Sequence, residues 1–182
     1  DFEDEDGEEE PPRPMTGPEL IDRLQAMPRM NFPRWVLLEP QTGDLSPEER
    51  GVDLVKRMVS AKIGGADAIF ATNIFHAEYG LLQPIRSPGV LFLPWRTTAL
   101  ALQGAKFLGS FNLPGGSKNF AFARDTEVVL IIWNDSEDLT EEIYLGEKSR
   151  VVTMDLWGRK RIAPIDETTK RQIIKVTSMP QI

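Results

Sequence analysis

Five side chains with chemistry to offer fall in two short stretches and one helical run: Glu39 and Gln41, His76 and Tyr79, and Trp95. A carboxylate such as Glu39 can act as a nucleophile or as a general acid or base, provided nearby donors hold it in the right state. Gln41, His76 and Tyr79 are the donors the sequence offers for that purpose. An indole such as Trp95 can stack on the weakly polar face of a flat ligand, although packing is the commoner use of a tryptophan. His76 is the only histidine and there is no cysteine, so a multi-histidine or thiolate metal site and a disulfide framework are excluded, and no metal or cofactor is expected. A lone Glu at the end of a strand is more often a solvated acid. What singles out Glu39 is the element it ends.

That element is Trp35–Leu38, an unbroken apolar run of four, which reads as a short strand buried on both faces. Pro40 and the Gly43-Asp44 turn then take the chain out of the sheet. Ser46-Pro47-Glu48-Glu49 supplies an N-cap, a proline at the first helical position and a capping-box glutamate. Val52, Val55, Met58, Val59 and Ile63 mark the apolar face of the helix that follows, and Gly64-Gly65 ends it. Residues 67–71 are a second short apolar strand, so strand, helix and strand form a βαβ unit with parallel strands. The long loop over 72–89, with Asn73, His76, Glu78 and Tyr79, then leaves from the same sheet end as Glu39. Carboxyl ends of parallel strands are where α/β folds place ligands and catalysis. A helix over 17–27, stopped by Pro28, precedes this unit, and one over 94–103 follows it.

Beyond Gly104 the texture changes to seven short strand-like runs, over 107–113, 120–124, 127–134, 142–145, 151–156, 160–165 and 171–176, separated by Gly, Pro, Asn and Asp turns. That pattern predicts an antiparallel β-sandwich over 105–182. At the other end, eight acids and no base fall within residues 1–10, and Pro11, Pro12 and Pro14 follow. Residues 1–14 therefore read as a disordered acidic linker. Without that run the chain holds 20 acidic and 21 basic residues, so the net charge of −7 is local to it. Basic residues are scattered, which argues against a nucleic-acid surface, and no apolar stretch is long enough to span a bilayer. Residues 15–104 hold too few parallel strands to close a sheet. A two-stranded sheet is not stable alone, so the expectation is a C-terminal piece completed by the N-terminal remainder of a larger protein or by a partner chain.

The order of these elements resembles the last quarter of a glycoside hydrolase (β/α)8 barrel followed by its C-terminal β-sandwich, in the clan whose nucleophilic glutamate ends the seventh barrel strand. Glu39-Pro40-Gln41-Thr42-Gly43 is similar to the Glu-x-Gln-x-Gly of some β-galactosidase-like members. Tyr79-Gly80-Leu81-Leu82, Phe107-Leu108-Gly109, Ile132-Trp133-Asn134-Asp135 and Asp155-Leu156-Trp157-Gly158 also fit such chains. The resemblance implies α/β plus all-β architecture, with residues 15–104 as the end of a TIM barrel. It implies Glu39 as nucleophile of a retaining glycosidase, Gln41, His76, Tyr79 and Trp95 as carbohydrate-binding residues, and an acid/base residue on strands that precede this chain. Leu38 and Pro40 depart from the commonest family pattern around the nucleophile. Two other readings stay open: a β-sandwich that binds carbohydrate, and a catalytically inactive barrel remnant used for assembly. A polysaccharide hydrolase of this kind would be expected outside the cell or in a periplasm.

Overall fold

The computed structural model describes residues 13–28, 31–146 and 151–182, so the acidic run over 1–12 lies outside the described residues. The first helix, α1, is Gly17–Ala26, opened by a capping box in which the Glu19 carboxylate accepts from the Thr16 backbone N–H at 2.8 Å. Arg13, placed in the linker by its sequence context, donates to the same carboxylate at 2.6 Å and 3.0 Å. Strand β1 is Trp35–Leu38, helix α2 is Pro47–Ile63, strand β2 is Ala68–Ala71 and helix α3 is Phe92–Leu102. Strands β1 and β2 pair in parallel, with Trp35 opposite Ala68 and Leu38 opposite Ala71, and α2 makes the crossover between them. Seven further strands follow: β3 Lys106–Phe111, β4 Lys118–Arg124, β5 Glu127–Trp133, β6 Leu139–Ile143, β7 Val152–Met154, β8 Lys160–Ile162 and β9 Gln172–Val176. Each falls within or overlaps one of the seven runs expected from the sequence. They pair antiparallel as β3-β4-β5, β6-β9 and β7-β8, which makes a mixed helix-and-sheet chain with mostly antiparallel strands.

Helix α2 is the spine, because it carries two apolar stripes rather than one. Leu54, Met58 and Ala61 pack with Leu20 and Leu24 of α1 and with Val36 and Leu38 of β1. Val55 and Val59, with Val52 and Ile63 at the margin, pack instead on Phe122, Ile131 and Trp133 of the antiparallel sheet. Burying a valine or leucine completely is worth about 1.5–3 kcal/mol, so both stripes stabilise strongly. The helix stops where it must. Gly64 lies so close to Leu24 that a Cβ there would come within 2.8 Å of its side chain, and Gly65 takes φ +89°, a backbone region that glycine enters without penalty.

The opposite face of β3-β4-β5 is covered in part, with Leu108 and Val128 exposed. Ile132 of β5 joins Ile174 and Val176 of β9 in a smaller cluster. The C-terminal residues tie in the remaining strands: Gln181 bridges to Ile132, and Ile182 exchanges backbone hydrogen bonds with Met154 of β7 at 2.6 Å and 3.0 Å. Glu141 of β6 is buried, and its carboxylate accepts from Ser117 Oγ at 2.7 Å and from the Gly115 N–H at 3.2 Å. A buried carboxyl group is tolerated because its oxygens are hydrogen-bonded in this way.

One expectation is overturned here. Strand β1 is buried on a single face: Val36 and Leu38 are 7% and 3% exposed, whereas Trp35 and Leu37 are 66% and 65% exposed. Phe70 of β2 shares the open face, edge-on to Trp35 with ring centroids 5.5 Å apart. The run is apolar throughout, so its composition could not distinguish a face packed by this chain from a face left bare.

Candidate functional site

Side chains alternate along a strand, so Trp35, Leu37 and Glu39 point to the same open side of the parallel sheet. Glu39 is exposed, while Pro40, which lacks an N–H and cannot extend the ladder, is buried beneath the turn. On the neighbouring strand, the Thr72 N–H donates to the Leu38 carbonyl at 3.0 Å and carries the parallel pairing one step beyond β2. That step sets Asn73 beside Glu39. Asn73 Nδ2 donates to Glu39 Oε1 at 2.9 Å, with the Asn73 backbone at φ +50°. Asparagine is among the few residues besides glycine that occupy this left-handed region readily.

The main chain of the site is fastened by two arginines of α2. Arg57, 2% exposed, donates through Nη1 to the Glu39 carbonyl at 2.8 Å and through Nε to Asp53 at 2.8 Å. Arg50 is also buried, and it donates to the carbonyls of Gln41 at 2.6 Å, Gly43 at 2.6 Å and Leu45 at 3.1 Å. The loop that carries Glu39 and Gln41 is thereby bound to the helix that follows it. Neither arginine was singled out from the sequence. Their seven-residue spacing is the available signal, since it places both on one stripe of α2, beside the apolar stripes.

The other expected site residues divide. His76 and Tyr79 come together, their rings stacked at 3.5 Å with an 11° interplanar angle, and the Arg50 guanidinium lies 5.5 Å from the Tyr79 ring centre. His76 Nδ1 accepts from the Glu78 backbone N–H at 3.2 Å. A loop hollow of about 370 Å³ is lined by Asn73, Ile74, Phe75 and His76. Gln41 is half-buried and bound to Arg50 through its carbonyl. Trp95 is half-buried on α3 and packs against the cluster that includes Leu54 and Val36. A larger hollow, about 610 Å³, lies against the first turns of α2, between Glu48, Glu49, Asp53, Lys56 and Ser178. None of its lining side chains is hydrogen-bonded to Glu39. Among the described residues no three His, Asp or Glu side chains converge as a metal site, and no helix is long and apolar enough to cross a membrane.

The site as built holds one carboxylate at the carboxyl end of a parallel strand, fixed through both its side chain and its backbone, beside a loop that carries a stacked His–Tyr pair. No family model and no curated protein matches the sequence. Among solved structures, a family 39 glycoside hydrolase from the gut symbiont Bacteroides cellulosilyticus WH2 shares the fold, with a TM-score of 0.66 and 17% sequence identity. The alignment covers 91% of this chain and 36% of that one, so this chain spans little more than a third of that neighbour's length. The chain thus has a fold distantly like that of part of a glycoside hydrolase.

Proposed function

We propose that this chain is the C-terminal part of a retaining glycoside hydrolase, in which β1 and β2 are the last two strands of a (β/α)8 barrel, β3 to β9 form its C-terminal β-sandwich, and Glu39 is the nucleophile. The observation that carries this reading is the placement of Glu39. It ends a parallel strand on the open side of the sheet, and Asn73 and Arg57 hold it there. Retaining glycosidases need two carboxyl groups about 5 Å apart, one attacking the anomeric carbon and one protonating the leaving oxygen. In this reading the second comes from barrel strands that precede the chain. Their packing against Trp35, Leu37 and Phe70 would cover the open face, and sheet pairing would use the free edges of β1 and β2.

The hydrolase reading is favoured over a carbohydrate-binding sandwich by the core role of four aromatics of β3, β4 and β5. Phe122 and Trp133 are buried, and the Phe107 and Phe120 rings pack on them with centroids 5.4 Å and 4.9 Å apart. The test is turnover of aryl glycosides by this chain together with the N-terminal remainder of the protein. Glu39→Gln should lower kcat by about 10³-fold or more with folding intact, as loss of a covalent nucleophile does. Near-normal turnover in that variant removes the assignment.

A further inference from the structure

We propose that Asn73 is the positioning residue for Glu39, holding Oε1 so that Oε2 is the oxygen presented to a substrate. The clause about a substrate rests on the hydrolase reading, whereas the positioning itself does not. A free carboxylate on a strand end rotates, and its two oxygens are equivalent. The Asn73 amide breaks that equivalence by donating to Oε1 at 2.9 Å. Its direction is set by backbone on both sides: the preceding Thr72 N–H is bonded to the Leu38 carbonyl, and the Asn73 carbonyl accepts from the His76 N–H, each at 3.0 Å. Asparagine meets two requirements together. It reaches φ +50° at low cost, and its amide is a neutral donor that orients the carboxylate without neutralising it. Glycine meets the first requirement alone. Aspartate tolerates the backbone but sets a second carboxylate against the first.

These differences separate a positioning role from a merely structural one. The side-chain conformation of Glu39 can be read in the 182-residue chain by NMR, from three-bond couplings and ¹³C relaxation at Cβ and Cγ, alongside thermal melts. The expected result is a single Glu39 rotamer in the wild type and averaged couplings in both Asn73→Gly and Asn73→Asp, with the melting temperature kept in Asn73→Gly. Couplings in Asn73→Gly indistinguishable from wild type would overturn the proposal. In the completed enzyme, Asn73→Gly should lower kcat by about 10- to 100-fold with KM nearly unchanged, the pattern of a displaced reacting group. If Glu39→Gln leaves turnover intact, the nucleophile assignment fails, and the positioning of Glu39 is still decided by its couplings.

Discussion

The two sheet regions of this chain solve the same problem differently. In β3-β4-β5 one face is covered by α2 and α3 through Phe122 and Ile131, and the other only in part, by β9 against Ile132, with Leu108 and Val128 left exposed. In β1–β2 one face packs on α1 and α2, and the other presents Trp35, Leu37 and Phe70 to solvent. Antiparallel strands reach their partners through short turns and can close a layer locally. Parallel strands need a crossover for every added neighbour, so this sheet stays open unless further strands reach it. Glu39 stands at the rim of the open sheet. The contrast therefore places the candidate chemistry at the rim of the sheet whose free face carries Trp35, Leu37 and Phe70.

The largest effect should come from the core that α2 shares with the antiparallel sheet. Phe122→Ala removes a fully buried ring and should cost about 3–5 kcal/mol in urea or thermal unfolding. Arg57→Met keeps length and burial but strips the Glu39 carbonyl and Asp53 of their donor, and should cost about 1–3 kcal/mol. A loss of that size would show that the open region, too, has one rigid point, directly under Glu39.

Smaller effects mark where the two regions meet and where the open one ends. Asp135 joins Lys56 of α2 at 2.7 Å to Lys118 of β4. Burial pushes its carboxyl up, but hydrogen bonds from Lys118 and Lys56 outweigh that and hold it below its ordinary value. A lowered carboxylate stabilises above its ordinary titration range, and the contribution is lost as pH falls through the lowered one. Asp135→Asn should cost about 0.2–1 kcal/mol per pair at neutral pH, less at high salt and nothing in strong acid. In α1, the hydrogen bond from Arg13, followed by those from Thr16, lowers Glu19 from 4.5 to about 2. Protection of the α1 amides from hydrogen exchange should accordingly weaken as pH falls from about 4.5 toward 2, and Glu19→Gln should flatten that response. The smallest effect is expected on the bare face. Leu37→Asn should change the stability of this chain by no more than about 0.5 kcal/mol, as exposed substitutions do. A cost matching that of Phe122→Ala would mean that the face is already covered in solution, and the contrast between the sheets would collapse.

Much of the fold is legible in the residues because it is written locally. Ser46 with Pro47 and Glu49 starts α2, Gly64 and Gly65 stop it, and apolar runs at 35–38 and 68–71 on either side of one helix define a parallel pair. The site is legible only in part. The spacing put Glu39 and the 72–89 loop at one end of the sheet, but it could not show that Asn73 rather than Gln41 would meet the carboxylate. That contact depends on register between strands more than thirty residues apart.

Local chemistry thus determined where the chain turns, which segments are helix or strand, and that a carboxylate ends β1. Only the tertiary structure decided which face of β1 is buried, that α2 serves two cores, and that Arg50 and Arg57 lie buried among backbone carbonyls. The physical reason is one of range. Caps, turns and strand formation act over a few residues, whereas burial and hydrogen-bond partnership depend on what distant segments bring to the same place.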